Sequence, residues 1–449
     1  MKRENKFLLM IFISALIIRI GAVLFYAGYL NPAKDALFYD RAALSILRGE
    51  GIRDLSGNTT AILPPVYPIF LSLIFALFGH DYTAVRLVQS VLSAMICIFI
   101  YLTTKTIFSE KAARLAAVVS VVYPAFIFFS YYGGPGFILT ETIFIFFLSG
   151  LATYISHIET LKFSHCAAIA LFSVLLILTR FGAVYFPILA AFYFFIKFKN
   201  YGRRLVKYLL VFFFSLCLAI LPWTIRNYRI SKELSFLLHD ESTSSLQSLL
   251  ELFPELGKKL EVDSDELSSA IHRGKGFAYL SEKWGIDKKA VSVEIRKRVG
   301  LELKSNFGKY VNPKFLLKGM KIFWSPYYIS LIDGKLKLNF SFVFILPFAM
   351  AGIFYAFLKR NIKAVFLVTL IAALNFMHLF TVLCERYRLP IEQWLIIFGA
   401  AGFFVLEGIF TTKRKICIFY SVSALYFALN LVAYFNSDYT VGVLNNLIP

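Results

Sequence analysis

Residues 31–51 read NPAKDALFYDRAALSILRGEG, and they follow directly on an apolar stretch, roughly 7–30, long enough for one membrane span. A polar, acid-bearing helix is thereby pinned to the outlet of that span. Holding ionisable side chains at a membrane boundary costs free energy, and a chain that keeps them there marks a site. The spacing predicts a helix from Asp35 to about Leu47, stopped by Gly49 and Gly51. Asp35 at its start fits an N-cap. It also fits an ionised carboxylate, favoured by the helix N-terminus and able to accept a proton from a hydroxyl acceptor. Tyr39 is four residues on and shares that face. Asp40 is five on, about 140° around the helix, and is expected as a solvated partner of Arg41.

The rest of the chain is built to surround such a site with lipid. Of 449 residues, 59% are hydrophobic and only 16% are charged, against roughly 25% charged in a soluble protein. The mean hydropathy is +0.70. Apolar runs recur along the whole length, at roughly 7–30, 84–104, 112–131, 138–158, 165–180, 182–197, 205–223, 341–358, 363–383, 390–410 and 416–436. The class is therefore an all-α integral membrane protein, a helical bundle of about eleven spans. The formal charge of +20 is no sign of nucleic acid, because many basic residues sit in short loops between spans. Lys2, Arg3 and Lys6 fall in register with Lys105, Lys111 and Arg114, with Lys162, with the 197–207 cluster, with Lys359, Arg360 and Lys363, and with Lys413–Lys415. The positive-inside rule makes that side cytoplasmic, with the N-terminus inside and the C-terminus outside. The five cysteines are scattered in or beside apolar helices and read as packing.

Two segments are long on the outer side. The first, 31–83, holds the acidic helix and the short apolar piece 66–79, which is too short to span and is expected as a juxtamembrane helix. The second, 227–340, is polar and acidic at first and basic and amphipathic over 288–321, and is expected as helices lying on the bilayer. Both belong to one multi-span domain covering 1–449.

A second acid, Glu141, stands in GGPGFILTETIFIFF, about one turn inside a span that opens at a Gly-Pro turn. A favourable contact with the helix N-terminus would account for it. Its neighbours are nearly all apolar, however, and a carboxylate there calls for a polar cavity or a cationic partner. Cations stand at outer span ends against the charge bias: Arg86, Arg180, Arg226, Arg386 and Arg388. Arginine suits phosphate through its planar fork of donors, and each also fits an ion pair with Glu141 or Glu385 or a lipid headgroup. No nucleotide loop, HExxH helix or Ser–His–Asp order occurs. No His pair has persuasive ligand spacing, so no metal ligands are assigned, although a divalent ion stays open as a cofactor.

In order, DALFYDRAALSILRGEG, PPVYPIFLSLIFALFG, LTETIFIF, LTRF, PWTIRNY and ERYRLPI resemble bacterial glycosyltransferases of the GT-C fold. The pattern is similar to the protein O-mannosyltransferase-like group that includes the lipid A aminoarabinose transferase. The resemblance covers most of residues 1–410 and implies an inverting enzyme of the outer membrane face that takes a sugar from a polyprenyl-phosphate donor. It maps the group's first-loop acid onto Asp35 and its second-loop acid onto Glu141. Two departures blur the subgroup: the paired acid of the first loop is Asp35-Ala36 here, and the usual Arg-Pro is Arg180-Phe181. The expected mechanism has Asp35 as base or orienter of the acceptor, Glu141 completing the acidic pocket, and Tyr39 with Arg86, Arg180, Arg226, Arg386 and Arg388 binding substrate. Sugar, prenyl length and acceptor (lipid, glycan or protein) stay open. A lipid-linked-sugar flippase and an oligosaccharide polymerase or ligase would use similar cationic sites. The flippase would place polar or broken helices near the bilayer midplane, whereas the ionisable residues here gather at one face.

Overall fold

The structure is a computed structural model. It describes residues 2–26, 35–53, 57, 59, 63–131, 139–231, 246, 250, 253–272, 275–287, 290–310, 313–325, 327–329, 336–378, 385–410 and 412–435. Its contacts divide the chain into two compact units. One comprises residues 1–236, 326–371 and 389–449, the other 237–325 and 372–388.

The first unit opens with α1 (Lys2–Tyr26), α2 (Asp35–Leu47), α3 (Val66–Phe78), α4 (Tyr82–Ile107), α5 (Glu110–Val122), α6 (Pro124–Tyr131), α7 (Glu141–His157), α8 (Phe163–Thr179), α9 (Phe186–Lys197) and α10 (Arg203–Ser231). Among the described residues five helices are long and apolar enough to cross a membrane: Arg3–Phe25, Tyr82–Ile107, Arg203–Ile230, Phe340–Leu358 and Leu389–Ile409. Each coincides with one of the spans expected from the sequence. The expected span 416–436 falls on a continuous 23-residue helix, Lys413–Phe435, and others fall on shorter or broken helices. The run 112–131 is interrupted where Pro124, lacking an N–H, forces Tyr123 into an extended conformation between α5 and α6.

Local chemistry sets the helix starts. Asp81 accepts from Thr83 N at 2.7 Å to begin α4, and Ser109 accepts from Ala112 N at 3.2 Å to begin α5. The end of α5 is closed from another helix. Arg19 of α1 is fully buried and donates from Nε to Ser93 Oγ (2.8 Å), from Nη1 to Ala15 O and Val121 O (3.1 and 3.2 Å), and from Nη2 to Cys97 Sγ and Ser120 O (3.6 and 3.3 Å). All five guanidinium donors are used. Two of them serve carbonyls of the last turn of α5, which the proline ring cannot serve. Around this clamp Ile11, Ala15, Ala94, Cys97, Ala117 and Val121 pack α1, α4 and α5 together.

Two helices complete the spanning set: α16 (Phe340–Leu358) and α18 (Leu389–Ile409), with α17 (Ile362–His378) between them and α19 (Lys413–Phe435) last. A Cβ at Gly352 would run into the Phe398 carbonyl, and one at Gly402 into the Phe348 carbonyl, so α16 and α18 approach backbone to backbone.

Ion pairs gather the basic helix ends at one end of this unit. Lys105 meets Glu4 at 2.5 Å, Lys111 meets Glu407 at 2.9 Å, and Lys363 meets Glu159 at 2.5 Å. Asn361 donates to Ile107 O at 2.8 Å, and His157 bonds Thr106 at 2.8 Å. The in-register basic loops of the sequence are thus neighbours in space.

The second unit contains α11 (Pro254–Leu260), α12 (Ser264–His272), α13 (Gly276–Trp284), α14 (Val291–Tyr310) and α15 (Pro313–Phe323). The sequence expects amphipathic helices lying on the bilayer over this stretch. The helices do not depend on a bilayer to cover their apolar faces, since Leu250, Leu256, Leu267, Leu280, Val291 and Ile295 are buried against one another in a core of their own. A short antiparallel hairpin, β1 (Tyr327–Ile329) with β2 (Leu336–Leu338), pairs Tyr327 with Leu338 just before α16.

Candidate active site

α4 and α7 both finish at the basic end, so both begin at the opposite end of the first unit. α8 starts beyond Glu159 and returns, leaving Arg180 at its C-cap beside the first residue of α7. The end remote from the basic loops thus holds Glu141, Arg180 and, near the start of α4, Arg86.

The short helix α3 shapes this end. Its thirteen residues rise ~20 Å, short of the ~30 Å hydrocarbon core. Tyr67 in its first turn meets Tyr39 of α2 edge-on, with ring centroids 5.0 Å apart. His80, beyond its last residue, bonds Asp40 of α2 through Nε2 at 2.6 Å. Both termini of α3 therefore stay beside α2, and Ala36, Ala43, Leu71, Ile74 and Val85 fill the space between α2, α3 and α4. Asp40 is corrected by this geometry. The sequence paired it with Arg41, whereas the α3 turn delivers His80 to it from forty residues away.

Glu141 is the buried acid. Its side chain is 2% exposed and accepts from Arg180 Nη2 at 3.3 Å. The Arg180 guanidinium lies 5.7 Å from the Phe144 ring centroid, one turn along the same helix. Glu141 also sits in the first turn of α7, where the helix dipole favours its negative charge. The arginine supplies the cationic partner that an apolar neighbourhood demanded.

Between the two acid-bearing helices stands Tyr67, fully buried, whose hydroxyl donates to Gln89 Oε1 at 3.0 Å. Burial pushes its phenol well above the ordinary value. The neighbouring Tyr39 phenol and the Glu141 carboxylate add to the shift and Arg86 opposes it. Tyr67 therefore stays an O–H donor at every working pH, within electrostatic reach of Glu141 and Arg86. Arg86 is 2% exposed, with the Asp81 carboxylate and the phenols of Tyr67 and Tyr82 as electrostatic neighbours.

The structure brings together Tyr39, Arg86, Glu141 and Arg180 around Tyr67. Asp35 is the first residue of α2, four before Tyr39; its side chain lies outside what is described, as does that of Arg386. Arg226 has surroundings of its own on α10: it lies 4.5 Å over the Trp223 ring and donates to Asn227 Oδ1 at 3.2 Å. Arg388 belongs to the second unit, where it is buried and donates to Phe323 O at 3.0 Å and Ser325 O at 2.6 Å. That contact fastens the end of α15 to the 385–388 turn.

Sequence reasoning missed Tyr67 and Gln89. A glutamine in the apolar run VRLVQSVL was a visible signal, since a buried amide requires a partner. Tyr67, after two prolines at a membrane boundary, was indistinguishable from an interfacial aromatic. Among the described residues no three His, Cys, Asp or Glu side chains gather as a metal site needs.

Comparison with known proteins adds a family match over part of the chain and a fold. Residues 63–223 match the family described as dolichyl-phosphate-mannose-protein mannosyltransferase. A comparison with curated protein sequences finds no match. The structure superposes on the apo oligosaccharyltransferase of Archaeoglobus fulgidus with a TM-score of 0.57 at 14% identity, covering 94% of this chain and 56% of that one. The same archaeal enzyme, AglB, in complex with an inhibitory peptide and a dolichol-phosphate gives 0.57 at 15% identity, covering 95% and 56%. ArnT from Cupriavidus metallidurans, bound to undecaprenyl phosphate, gives 0.43 at 14% identity, covering 88% and 76%. The chain spans a little over half the length of the archaeal oligosaccharyltransferase. It is a multi-pass membrane protein with the GT-C fold, and its residues 63–223 match the dolichyl-phosphate-mannose-protein mannosyltransferase family.

Proposed function

We propose that the chain is a glycosyltransferase that moves a sugar from a polyprenyl-phosphate carrier to a lipid, glycan or protein acceptor, with inversion, at the outer face of the cytoplasmic membrane. The observation that carries this reading is the buried Glu141–Arg180 pair beside Tyr67 and Arg86. It lies within the family-matched residues and at the same end as the helix that Asp35 opens. A flippase would keep its polar residues nearer the midplane.

In the proposed reaction the acceptor's nucleophilic atom attacks the anomeric carbon of the donor. The bond from that carbon to the phosphate oxygen breaks, and prenyl phosphate leaves with the electron pair. Asp35 takes the acceptor's proton or orients it. Glu141, fixed by Arg180, completes the acidic pocket. Charge developing on the phosphate needs cations placed in advance, and Arg86 and Arg226 are proposed for that part. The phosphate ester is already an activated leaving group, so no nucleotide is required.

The test is turnover by the purified full chain with a panel of polyprenyl-phosphate sugars. Loss of donor and release of free prenyl phosphate are expected. Asp35→Asn and Glu141→Gln should each reduce the rate ~10²-fold or more, the scale of a positioned proton-transfer group, with protein yield and donor binding retained. Full turnover by a folded Asp35→Asn protein would remove that residue from the chemistry. Losses confined to yield would leave both carboxylates a structural role only.

A further inference from the structure

The turn between α9 and α10 holds a strong charge imbalance that the proposed reaction does not use. Lys162, Lys199, Arg203, Arg204 and Lys207 are all exposed there, and none has a carboxylate partner among the described residues. The sequence explains why. From residue 160 to residue 232 there is no Asp or Glu. The nearest acid, Glu159, is already engaged by Lys197 and Lys363, and those lysines hold its carboxyl below the ordinary value. Arg203, Arg204 and Lys207 also occupy the first turns of a 29-residue helix, where its dipole disfavours cations. Something other than local helix chemistry is needed to account for them.

The same place has a built cavity. Leu161, Asn200, Tyr201, Arg204 and Tyr208 line a volume of about 380 Å³. Its wall is built from side-chain contacts: Tyr201 accepts at its hydroxyl from Leu161 N at 3.3 Å, and the Tyr208 ring packs tilted against Phe163 with centroids 4.6 Å apart. Gly202 turns the chain with a φ of +52°, a left-handed conformation that brings Asn200 and Arg204 to one hollow. Beside it Phe163, Phe195, Val206 and Leu210 are exposed, an apolar flank next to the cations. A soluble anion has no use for that flank. A molecule with an anionic head and hydrocarbon chains uses both.

We propose that the α9–α10 turn binds the headgroup of an anionic phospholipid, with its phosphate in the Leu161–Tyr208 hollow against Arg204 and its acyl chains along Phe163, Val206 and Leu210. The neighbouring Lys162, Lys199, Arg203 and Lys207 supply long-range attraction. The site is independent of the glycosyl transfer proposed above and sits at the opposite end of the first unit.

Native mass spectrometry of the delipidated full chain, titrated with phosphatidylglycerol or phosphatidylcholine, tests this. Saturable binding of phosphatidylglycerol is expected, with phosphatidylcholine bound far more weakly. Removing one cation at the surface should cost about fivefold in affinity, so Arg204→Gln with Lys207→Gln should lose roughly twentyfold or more. Lys413→Gln with Arg414→Gln, on another basic loop, should change little. Tyr208→Leu keeps every charge and removes a wall of the hollow. It should also weaken binding, and it serves if the double variant does not fold. Equal binding of both lipids, equal loss in the 413–414 variant, full affinity in Tyr208→Leu, or displacement of the lipid by equimolar glycerol phosphate would each overturn the site.

Discussion

At the scale of single residues, Tyr67 is the sharpest test of the proposed centre. Tyr67→Phe removes one buried hydrogen bond and leaves Gln89 Oε1 without that donor, a cost of about 1–3 kcal/mol in stability. Thermal unfolding should show that loss. Turnover should fall as well, because the phenol lies in the field of Glu141 and Arg86; unchanged turnover would make it packing alone. The two acids differed in how much the sequence could say. Glu141 was legible because an apolar neighbourhood makes a carboxylate conspicuous, while the sequence left its partner open among several arginines, of which the structure selects Arg180. The partner of Asp40 was not legible. Pairing it with His80 requires knowing that α3 folds back along α2, and no local pattern encodes a contact across forty residues.

Among the elements, the five long spans could be read from hydropathy, since each is a continuous apolar run. The break at Tyr123–Pro124 was readable in principle and overlooked, because the run 112–131 is apolar on both sides of the proline. The second unit was harder. An amphipathic helix has the same pattern whether its apolar face meets lipid or another helix, and only the shared burial of Leu256, Leu280 and Val291 decides the matter. Close contact of α16 and α18 gives a prediction at this scale. Gly402→Leu forces a side chain into the Phe348 carbonyl, and overpacking of that kind costs about 1–3 kcal/mol. A lowered unfolding temperature is expected in detergent, while Gly408→Leu, where no atom lies near the added carbon, should behave as the parent.

For the molecule as a whole, the governing feature is that the basic loops and the Glu141 centre occupy opposite ends of the first unit. With the positive-inside rule we propose an orientation that puts Lys105, Lys363 and Lys111 in the cytoplasm and Glu141 outside. Had α3 crossed, every later loop would change sides and the two acids would face different compartments. Single cysteines at Ser56, Gly134 and Thr412 in a cysteine-free variant should report this on intact cells. An impermeant thiol reagent is expected to label the first two and spare the third. Protection at Gly134 with labelling at Thr412 would overturn both the orientation and the two-acid reaction.

The Arg19 clamp bears on how the chain is made. A guanidinium at the middle of a span costs about 3 kcal/mol to insert alone. Apart from Ala15, its acceptors lie between Ser93 and Val121, as far as 102 positions downstream. The first helix thus leaves the ribosome carrying a charge whose solvation depends on segments not yet synthesised. Until α4 and α5 arrive, it is a provisional resident of the bilayer, held at the translocon or displaced toward the headgroups. The protein's order of assembly is written into one side chain, and Arg19→Leu should let α1 settle early in chains truncated before residue 93.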